Sequence, residues 1–225
     1  MLKASPEESG FVGPGLRALS RELMDTLREM SFDGVGISRE TYGAKETEAL
    51  ELIEATARRY GLETAWDRAR NLRIWLPGED TSLPVVATGS HMDSVPQGGN
   101  YDGAAGVIAG LAALIAAKER GRFSRTLELY ALRGEESAWF GGPCYFGSRA
   151  IFGLLEEADL ASRHRDGKVT LAQQMAACGV DMDLVERQES IRRPEEFHAW
   201  IELHIEQGPV LVAPESPVGI VTGIR

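Results

Sequence analysis

Apolar residues recur every three or four positions in two stretches near the start of the chain, as on one face of an α-helix. The apolar positions of the first stretch are Leu16, Leu19, Leu23, Leu27 and Met30. Those of the second stretch are Leu50, Ile53, Ala57 and Tyr60. Gly61 follows at the place where a helix C-terminal cap is expected. The pattern therefore predicts two amphipathic helices.

Shorter apolar runs further along the chain predict β-strands separated by helices. The predicted strands are residues 71–76, 85–88, 127–132 and 200–206, and the predicted helices are residues 103–117, 148–155 and 170–177. Strands that alternate with helices are typical of an α/β layered domain. We therefore expect a central mixed, largely parallel sheet flanked by helices.

The last predicted strand has a clear alternation of apolar and polar residues. Its apolar side carries Ile201, Leu203 and Ile205, and its polar side carries Glu202, His204 and Glu206. Because successive side chains of a strand point to opposite faces, the polar side is expected to face a site or solvent.

The composition is that of an ordinary globular protein: 225 residues, 43% hydrophobic and 26% charged, with a net charge of −10. The acidic balance argues against nucleic acid as a partner, because phosphate binding draws on clustered Lys and Arg. The first ten residues lack the apolar core of a signal peptide, and the uncharged run 103–117 is too short for a membrane span. Two cysteines, Cys144 and Cys178, suit a reducing compartment. We therefore expect a soluble, cytoplasmic protein.

Imidazole and carboxylate groups follow several of the predicted strands. His91 comes after the strand 85–88, Asp102 directly precedes the helix 103–117, and Glu135 and Glu136 follow the strand 127–132. His204 lies on the polar side of the last strand. Such ligands without a cluster of thiolates suit a catalytic zinc, manganese or cobalt site at the carboxyl end of an open sheet.

The acidic residues next to these candidates have distinct uses at a metal site. If Glu136 is a ligand, Glu135 remains free to take a proton from metal-activated water. Asp93, two residues after His91, could accept the other imidazole N–H and fix the tautomer of the ring. The sequence shows no G-x-G-x-x-G after a strand, no P-loop, no H-E-x-x-H and no G-x-S-x-G, which disfavours a nucleotide site or a serine nucleophile.

Each of these residues also has an ordinary structural explanation. A histidine at a strand end is usually hydrogen-bonded within the structure, Asp102 before a helix fits an N-cap, and Glu135 with Glu136 fits a solvated pair. His164 and His198 are expected at the surface. No single residue settles the function, so the metal hypothesis depends on their combination.

Five sequence blocks together resemble the hydantoinase/carbamoylase family of metal-dependent amidohydrolases. The blocks are GSHMDSV (89–95), GGNYDG (98–103), RGEES (133–137), GSR (147–149) and ELHIEQGP (202–209). The family includes N-carbamoyl-L-amino-acid hydrolases, allantoate amidohydrolases and β-ureidopropionases, and it is related to aminoacylases and zinc aminopeptidases. The resemblance implies a zinc-exopeptidase-like fold and a small-molecule substrate, with hydrolysis of linear C–N bonds in carbamoyl, ureido or amide groups.

The resemblance also implies roles for individual residues, with two divalent ions (zinc, manganese, cobalt or nickel) in a complete site. The implied metal ligands are His91, Asp102, Glu136 and His204, with Asp102 bridging the two ions. Glu135 would be the general acid/base and Asp93 would orient His91. Gln207 would lie at the substrate pocket.

Family members are much longer than 225 residues, and they form homodimers. Residues 1–225 are therefore expected to be the N-terminal segment of the metal-binding catalytic domain, without the lid and dimerisation domain or the C-terminal catalytic segment. Two further hypotheses stay open: a non-catalytic or half-enzyme metal-binding fragment, and an aminoacylase or peptidase specificity. The 225 residues alone are expected to have little or no hydrolase activity.

Overall fold

A computed structural model describes residues 13–212 and 216–223. The expectation that concerned the first ten residues lies outside this range, as do the last two residues of the chain. Seven α-helices lie in the described part: α1 Pro14–Ser31, α2 Ala44–Arg59, α3 Ala104–Arg120, α4 Phe146–Ile151, α5 Glu157–Leu160, α6 Leu171–Ala177 and α7 Met182–Glu186. The strands there are β1 Glu63–Trp66, β2 Leu72–Leu76, β3 Val85–His91, β4 Leu127–Leu132 and β5 Phe197–Ile201.

The five strands form one mixed sheet in the order β1-β2-β4-β3-β5. β1 and β4 both pair with β2 in antiparallel fashion, whereas β4 and β5 both pair with β3 in parallel. The expected mixed α/β sheet is confirmed, with its parallel part at β4, β3 and β5. Parallel strands end at the same edge of a sheet, so β3, β4 and β5 deliver the residues that follow them to one place.

Helices α1, α2 and α3 cover one face of the sheet and bury the main hydrophobic core. Both predicted N-terminal helices are confirmed, and their apolar faces are in this core together with Leu129 and Ala131 of β4. Helix α3 is apolar up to Ala117 and mostly buried over that stretch, as a helix between a sheet and other helices should be. Gly61 has a φ of +68° just after α2, which is the left-handed cap that the sequence predicts.

Two smaller apolar clusters complete the fold. One packs helices α4 to α7 around Phe140, Phe146, Leu171 and Met175. The other lies on the second face of the sheet, where Tyr130 and Leu132 contact residues from α4. Among the described helices, none is both long and apolar enough to cross a membrane.

Three sequence-based expectations differ from the structure. The last strand is β5 Phe197–Ile201 rather than residues 200–206, so its alternation does not make an apolar side: Ile201 is 65% exposed. Strand β1 is absent from the predicted strands because its sequence has no strong apolar pattern. Its four residues are held in the sheet by pairing with β2. The side chain of His164 is only 10% exposed rather than at the surface, since its ring stacks on Trp139 and meets the edge of Phe140.

Helix α3 approaches β3 and the segment after β5 unusually closely at Gly106. A Cβ at this position would lie 2.3 Å from the backbone oxygen of Leu203 and 2.7 Å from Cβ of Ser90. No side chain fits at such a separation, so glycine permits the contact between the helix and the segment that carries His204.

The Gly106→Ala substitution should therefore destabilise the protein. Helix propensity alone favours alanine by about 0.5–1 kcal/mol, so a loss of about 1–3 kcal/mol in the free energy of unfolding would have to come from the clash. Urea denaturation followed by circular dichroism measures it. Gly99→Ala is the matched control, because a Cβ there meets no atom within 4 Å. Equal stability of the two variants would contradict the close contact.

Candidate metal centre

His91 and the pair Glu135 and Glu136 reach the same edge of the sheet because β3 and β4 are parallel and end side by side. His91 is the last residue of β3 and lies beside Leu132, the last residue of β4. The chain continues from Leu132 directly into Arg133, Gly134, Glu135 and Glu136. The register alone therefore places the glutamate pair next to His91.

Asp102 reaches His91 through an unusual start of helix α3. Gly103 precedes the helix with a φ of +64°, and a Cβ on it would lie 2.4 Å from the carbonyl oxygen of His91. Glycine thus permits both the left-handed backbone and the close approach. The side chain of Asp102 makes no N-cap hydrogen bond, so the N-cap explanation is wrong, and its carboxylate is free to face the histidines.

Two imidazoles converge on one oxygen of Asp102. Oδ1 of Asp102 lies 3.6 Å from Nε2 of His91 and 3.3 Å from Nε2 of His204, and the two rings stack with centroids 5.9 Å apart. In the part of the chain that the structure describes, these residues form the one group of His, Cys, Asp or Glu with ligand atoms all within 4.8 Å of one another. Glu136 is adjacent, with Oε1 4.0 Å from Nε2 of His91.

Hydrogen bonds at the other ring nitrogen orient both histidines. Nδ1 of His91 lies 3.1 Å from the carbonyl oxygen and 3.3 Å from Oδ1 of Asp93. Nδ1 of His204 lies 2.9 Å from the carbonyl oxygen of Ile205. Histidine ligands of metals are usually oriented by such a partner at the second nitrogen. In both residues Nε2 is thereby left facing Asp102.

These residues fit a divalent metal ion of the zinc type. Oδ1 of Asp102 is buried and has no hydrogen-bond partner among the described residues, although buried polar atoms are normally paired. It faces two imidazole nitrogens, and two imidazoles with one carboxylate are a donor set that zinc accepts. A cation between the three groups would satisfy all of them.

The potential at the centre also favours a cation. Burial alone would lower the pKa of His91, but the nearby carboxylates of Asp102 and Asp93 outweigh it and raise the pKa to about 11. The nearby imidazole of His91 in turn lowers the pKa of Asp102 despite some burial. Carboxylates that hold a proton this firmly on an imidazole also attract a metal ion, which would displace that proton on binding.

The buried carboxylate of Asp93 connects His91 with the backbone of Glu135 and Glu136. Its Oδ1 accepts the backbone N–H of Glu135, and its Oδ2 accepts the backbone N–H of Glu136, both at 3.0 Å. Oδ2 also accepts the hydroxyl of Thr41 at 2.8 Å. Asp93 therefore contacts His91 and at the same time fixes the backbone of both glutamates.

Glu135 is oriented by Ser148 at helix α4. The backbone N–H of Ser148 donates to Oε1 at 2.8 Å, and its hydroxyl donates to Oε2 at 2.7 Å. Burial raises the pKa of Glu135 to about 7 even though Ser148 opposes the shift. Burial also raises the pKa of Glu136. Glu135 is thus held by Ser148 and does not belong to the group of His91, Asp102 and His204.

Sequence reasoning missed a buried ion pair that supports the glutamate segment. Glu46 of α2 accepts the backbone N–H of Gly134 at 2.8 Å and Nε of Arg133 at 2.7 Å, and neither charged side chain is exposed. Arg133 also donates to the hydroxyl of Thr47 at 2.6 Å. A signal for Glu46 existed: it lies four residues before Leu50, on the apolar face of α2, where an acid is costly unless it is paired. Thr41 carries no comparable signal, and Ser148 is marked only by its place in the block GSR (147–149).

Gln207 contacts the oxygen of Asp102 that does not face the two histidines. Its side-chain Nε2 donates to Oδ2 of Asp102 at 2.6 Å. The segment after β5 therefore supplies both His204 and Gln207 to the same carboxylate.

Comparison with known proteins assigns the family. The model of peptidase family M20/M25/M40 matches residues 87–221, a range that contains all the residues of the centre. The chain belongs to this family. The M20 assignment agrees with the resemblance to hydantoinase/carbamoylase amidohydrolases and confirms it.

Individual relatives of this M20 chain are amidohydrolases. It is 35% identical over 212 residues to an N-carbamoyl-L-amino-acid amidohydrolase of Paenarthrobacter aurescens, covering 92% of this chain and 51% of the relative. It is 35% identical over 195 residues to an allantoate amidohydrolase of Bacillus subtilis, covering 86% and 46%. The crystal structure of a hydantoinase/carbamoylase family amidase from Burkholderia ambifaria aligns with a TM-score of 0.74 and 31% identity, covering 91% and 49%. The chain thus spans about half the length of these relatives.

The Asp93→Asn substitution should loosen the glutamate segment. An amide offers one acceptor oxygen in place of two, so at least one buried N–H of Glu135 or Glu136 loses its partner. Leaving such a group unpaired costs about 1–3 kcal/mol. Thermal and urea denaturation of the metal-free protein measure the loss.

Asp80→Asn is the matched control for this substitution. Asp80 also accepts an N–H and a hydroxyl, both from Ser82, but in an exposed turn. We expect this control to leave stability unchanged. An Asp93→Asn variant as stable as the control would show that the carboxylate does not support the glutamates.

Proposed function

We propose that this chain is the metal-binding part of a hydrolase that cleaves linear C–N bonds in carbamoyl or ureido groups. The observation that carries the proposal is the convergence of His91, Asp102 and His204 in a chain of the M20 family. Relatives named as N-carbamoyl-L-amino-acid and allantoate amidohydrolases support this substrate class. Residues 1–225 would form the N-terminal segment of the catalytic domain.

In this proposal His91, Asp102 and His204 hold a divalent ion, and Glu136 with Asp102 contributes to a second position. A bound zinc, manganese, cobalt or nickel ion supplies Lewis acidity, which polarises a carbonyl group and acidifies water. The resemblance to the hydantoinase/carbamoylase family implies two ions in a complete enzyme. Carboxylates alone make a poor second position for a zinc-type ion, so we expect the first position to be filled first.

Glu135 is proposed as the residue that moves the proton. Its carboxylate accepts a proton from the attacking water and returns it to the leaving nitrogen, while Ser148 keeps both carboxylate oxygens in place. With a carbamoyl amino acid, addition of one water molecule releases the amino acid, carbon dioxide and ammonia. Asp93 keeps the backbone of Glu135 at a fixed position relative to His91.

We further propose a cytoplasmic location and a homodimer. Both cysteines are free thiols, which suits a reducing cytoplasm. The homodimer implied by the resemblance stays a prediction. The half-enzyme alternative also stays a prediction, and the chain spans about half the length of its curated relatives.

The purified chain should have little or no activity by itself. We expect turnover far below the ~1–10³ s⁻¹ of ordinary enzymes, because residues of the relatives' other half would be needed to bind the substrate and exclude water. Ammonia release from N-carbamoyl-L-amino acids and allantoate, with added zinc, manganese or cobalt, measures it. Turnover in the ordinary range would show that the 225 residues suffice.

A fusion of this chain to the remaining half of the Paenarthrobacter aurescens relative should be active on ureido substrates. In that fusion Glu135→Gln should retain metal and lose about 10²–10⁴-fold in rate, because the amide cannot accept a proton. Glu136→Gln should instead lower metal content. Metal analysis and ammonia release distinguish the two variants. A folded, metal-loaded fusion without ureido hydrolysis would contradict the proposed substrate class.

A further inference from the structure

The two oxygens of Asp102 have different surroundings. Oδ1 faces the Nε2 atoms of His91 and His204 and has no hydrogen-bond partner among the described residues, whereas Oδ2 accepts Nε2 of Gln207 at 2.6 Å. The side chain of Asp102 is 16% exposed, so part of this arrangement is shielded from water.

We propose that Gln207 is a positioning residue of the metal centre: it donates to Oδ2 of Asp102 and holds Oδ1 toward the two imidazoles. The proposal rests on the proposed metal centre at His91, Asp102 and His204. It gives Gln207 a task at the carboxylate, different from the contact with substrate that the resemblance implies.

The orientation of Asp102 needs such a partner. Asp102 follows a loop rich in glycine and immediately precedes Gly103, and its side chain makes no cap hydrogen bond to helix α3. The groups that contact its carboxylate in the described structure are His91, His204 and Gln207. Gln207 is therefore the neutral donor that restrains rotation of the carboxylate before a cation is present.

One short segment after β5 supplies both His204 and Gln207 to Asp102. His204 and Gln207 are three residues apart and both contact Asp102, 102 and 105 positions earlier in the sequence. The ligand and the residue that orients its neighbour therefore reach the centre together. Displacement of this segment would remove both contacts at once.

Gln207→Met tests the proposal, because methionine keeps the length of the side chain and removes the donor. Gln97→Met is the matched control, which replaces an exposed glutamine in the loop between β3 and α3. Competition with a chromophoric chelator gives the zinc affinity and stoichiometry of the purified chain. The Co²⁺ absorption spectrum reports the ligand geometry, and thermal denaturation in EDTA reports the stability of the metal-free fold.

We expect the wild-type chain and the control to bind one equivalent of zinc tightly. Gln207→Met should bind zinc about 10–100-fold more weakly, the usual effect of removing a residue that orients a metal ligand. Its Co²⁺ spectrum should change while the melting temperature of its metal-free form stays the same.

Two results would overturn the proposal. One is a zinc affinity of Gln207→Met within twofold of that of the wild-type chain, and the other is a metal-free Gln207→Met variant that melts well below the metal-free wild-type chain. Failure of the metal centre itself has a different signature. In that case His91→Ala would bind zinc as tightly as the wild-type chain.

Discussion

The position of the candidate centre depends on the hydrogen bonds that the buried carboxylate of Asp93 accepts. Two backbone N–H groups, from Glu135 and Glu136, donate to it, and its Oδ1 lies 3.3 Å from Nδ1 of His91. These contacts join the segment that follows β3 to the segment that follows β4. An unpaired buried carboxylate would be costly, so the requirement to satisfy Asp93 forces the histidine and the glutamates into a fixed arrangement.

Around Asp93 the structure separates charges that support the fold from charges that face the site. Glu46 and Arg133 pair with each other in the interior, and Glu46 also accepts the N–H of Gly134. Removal of one partner from such a pair leaves a buried charge without compensation. Three consecutive amides, from residues 134 to 136, thus donate to two buried carboxylates. The side chains of Glu135 and Glu136 stay available because their backbone is held elsewhere.

At the site itself the carboxylates create a negative electrostatic potential around His91. Asp102 and Asp93 raise the pKa of His91 far above its ordinary value, and this field would draw in a divalent ion as readily as a proton. Membership of the M20 family gives the chemical context for that ion, whereas the geometry decides which atoms face it.

The sequence by itself determined the elements with strong patterns and the family. The apolar periodicity of α1 and α2, the uncharged helix α3 and the apolar strand β4 depend on local residue order, and the five motif blocks carry the resemblance. Tertiary structure decided what periodicity cannot encode: β5 ends at Ile201, His164 is buried by Trp139 and Phe140, and Asp102 is no helix cap. It also decided that Glu46, Thr41 and Ser148 support the centre, because hydrogen bonds between residues 13 to 88 positions apart follow from the packing of separate elements.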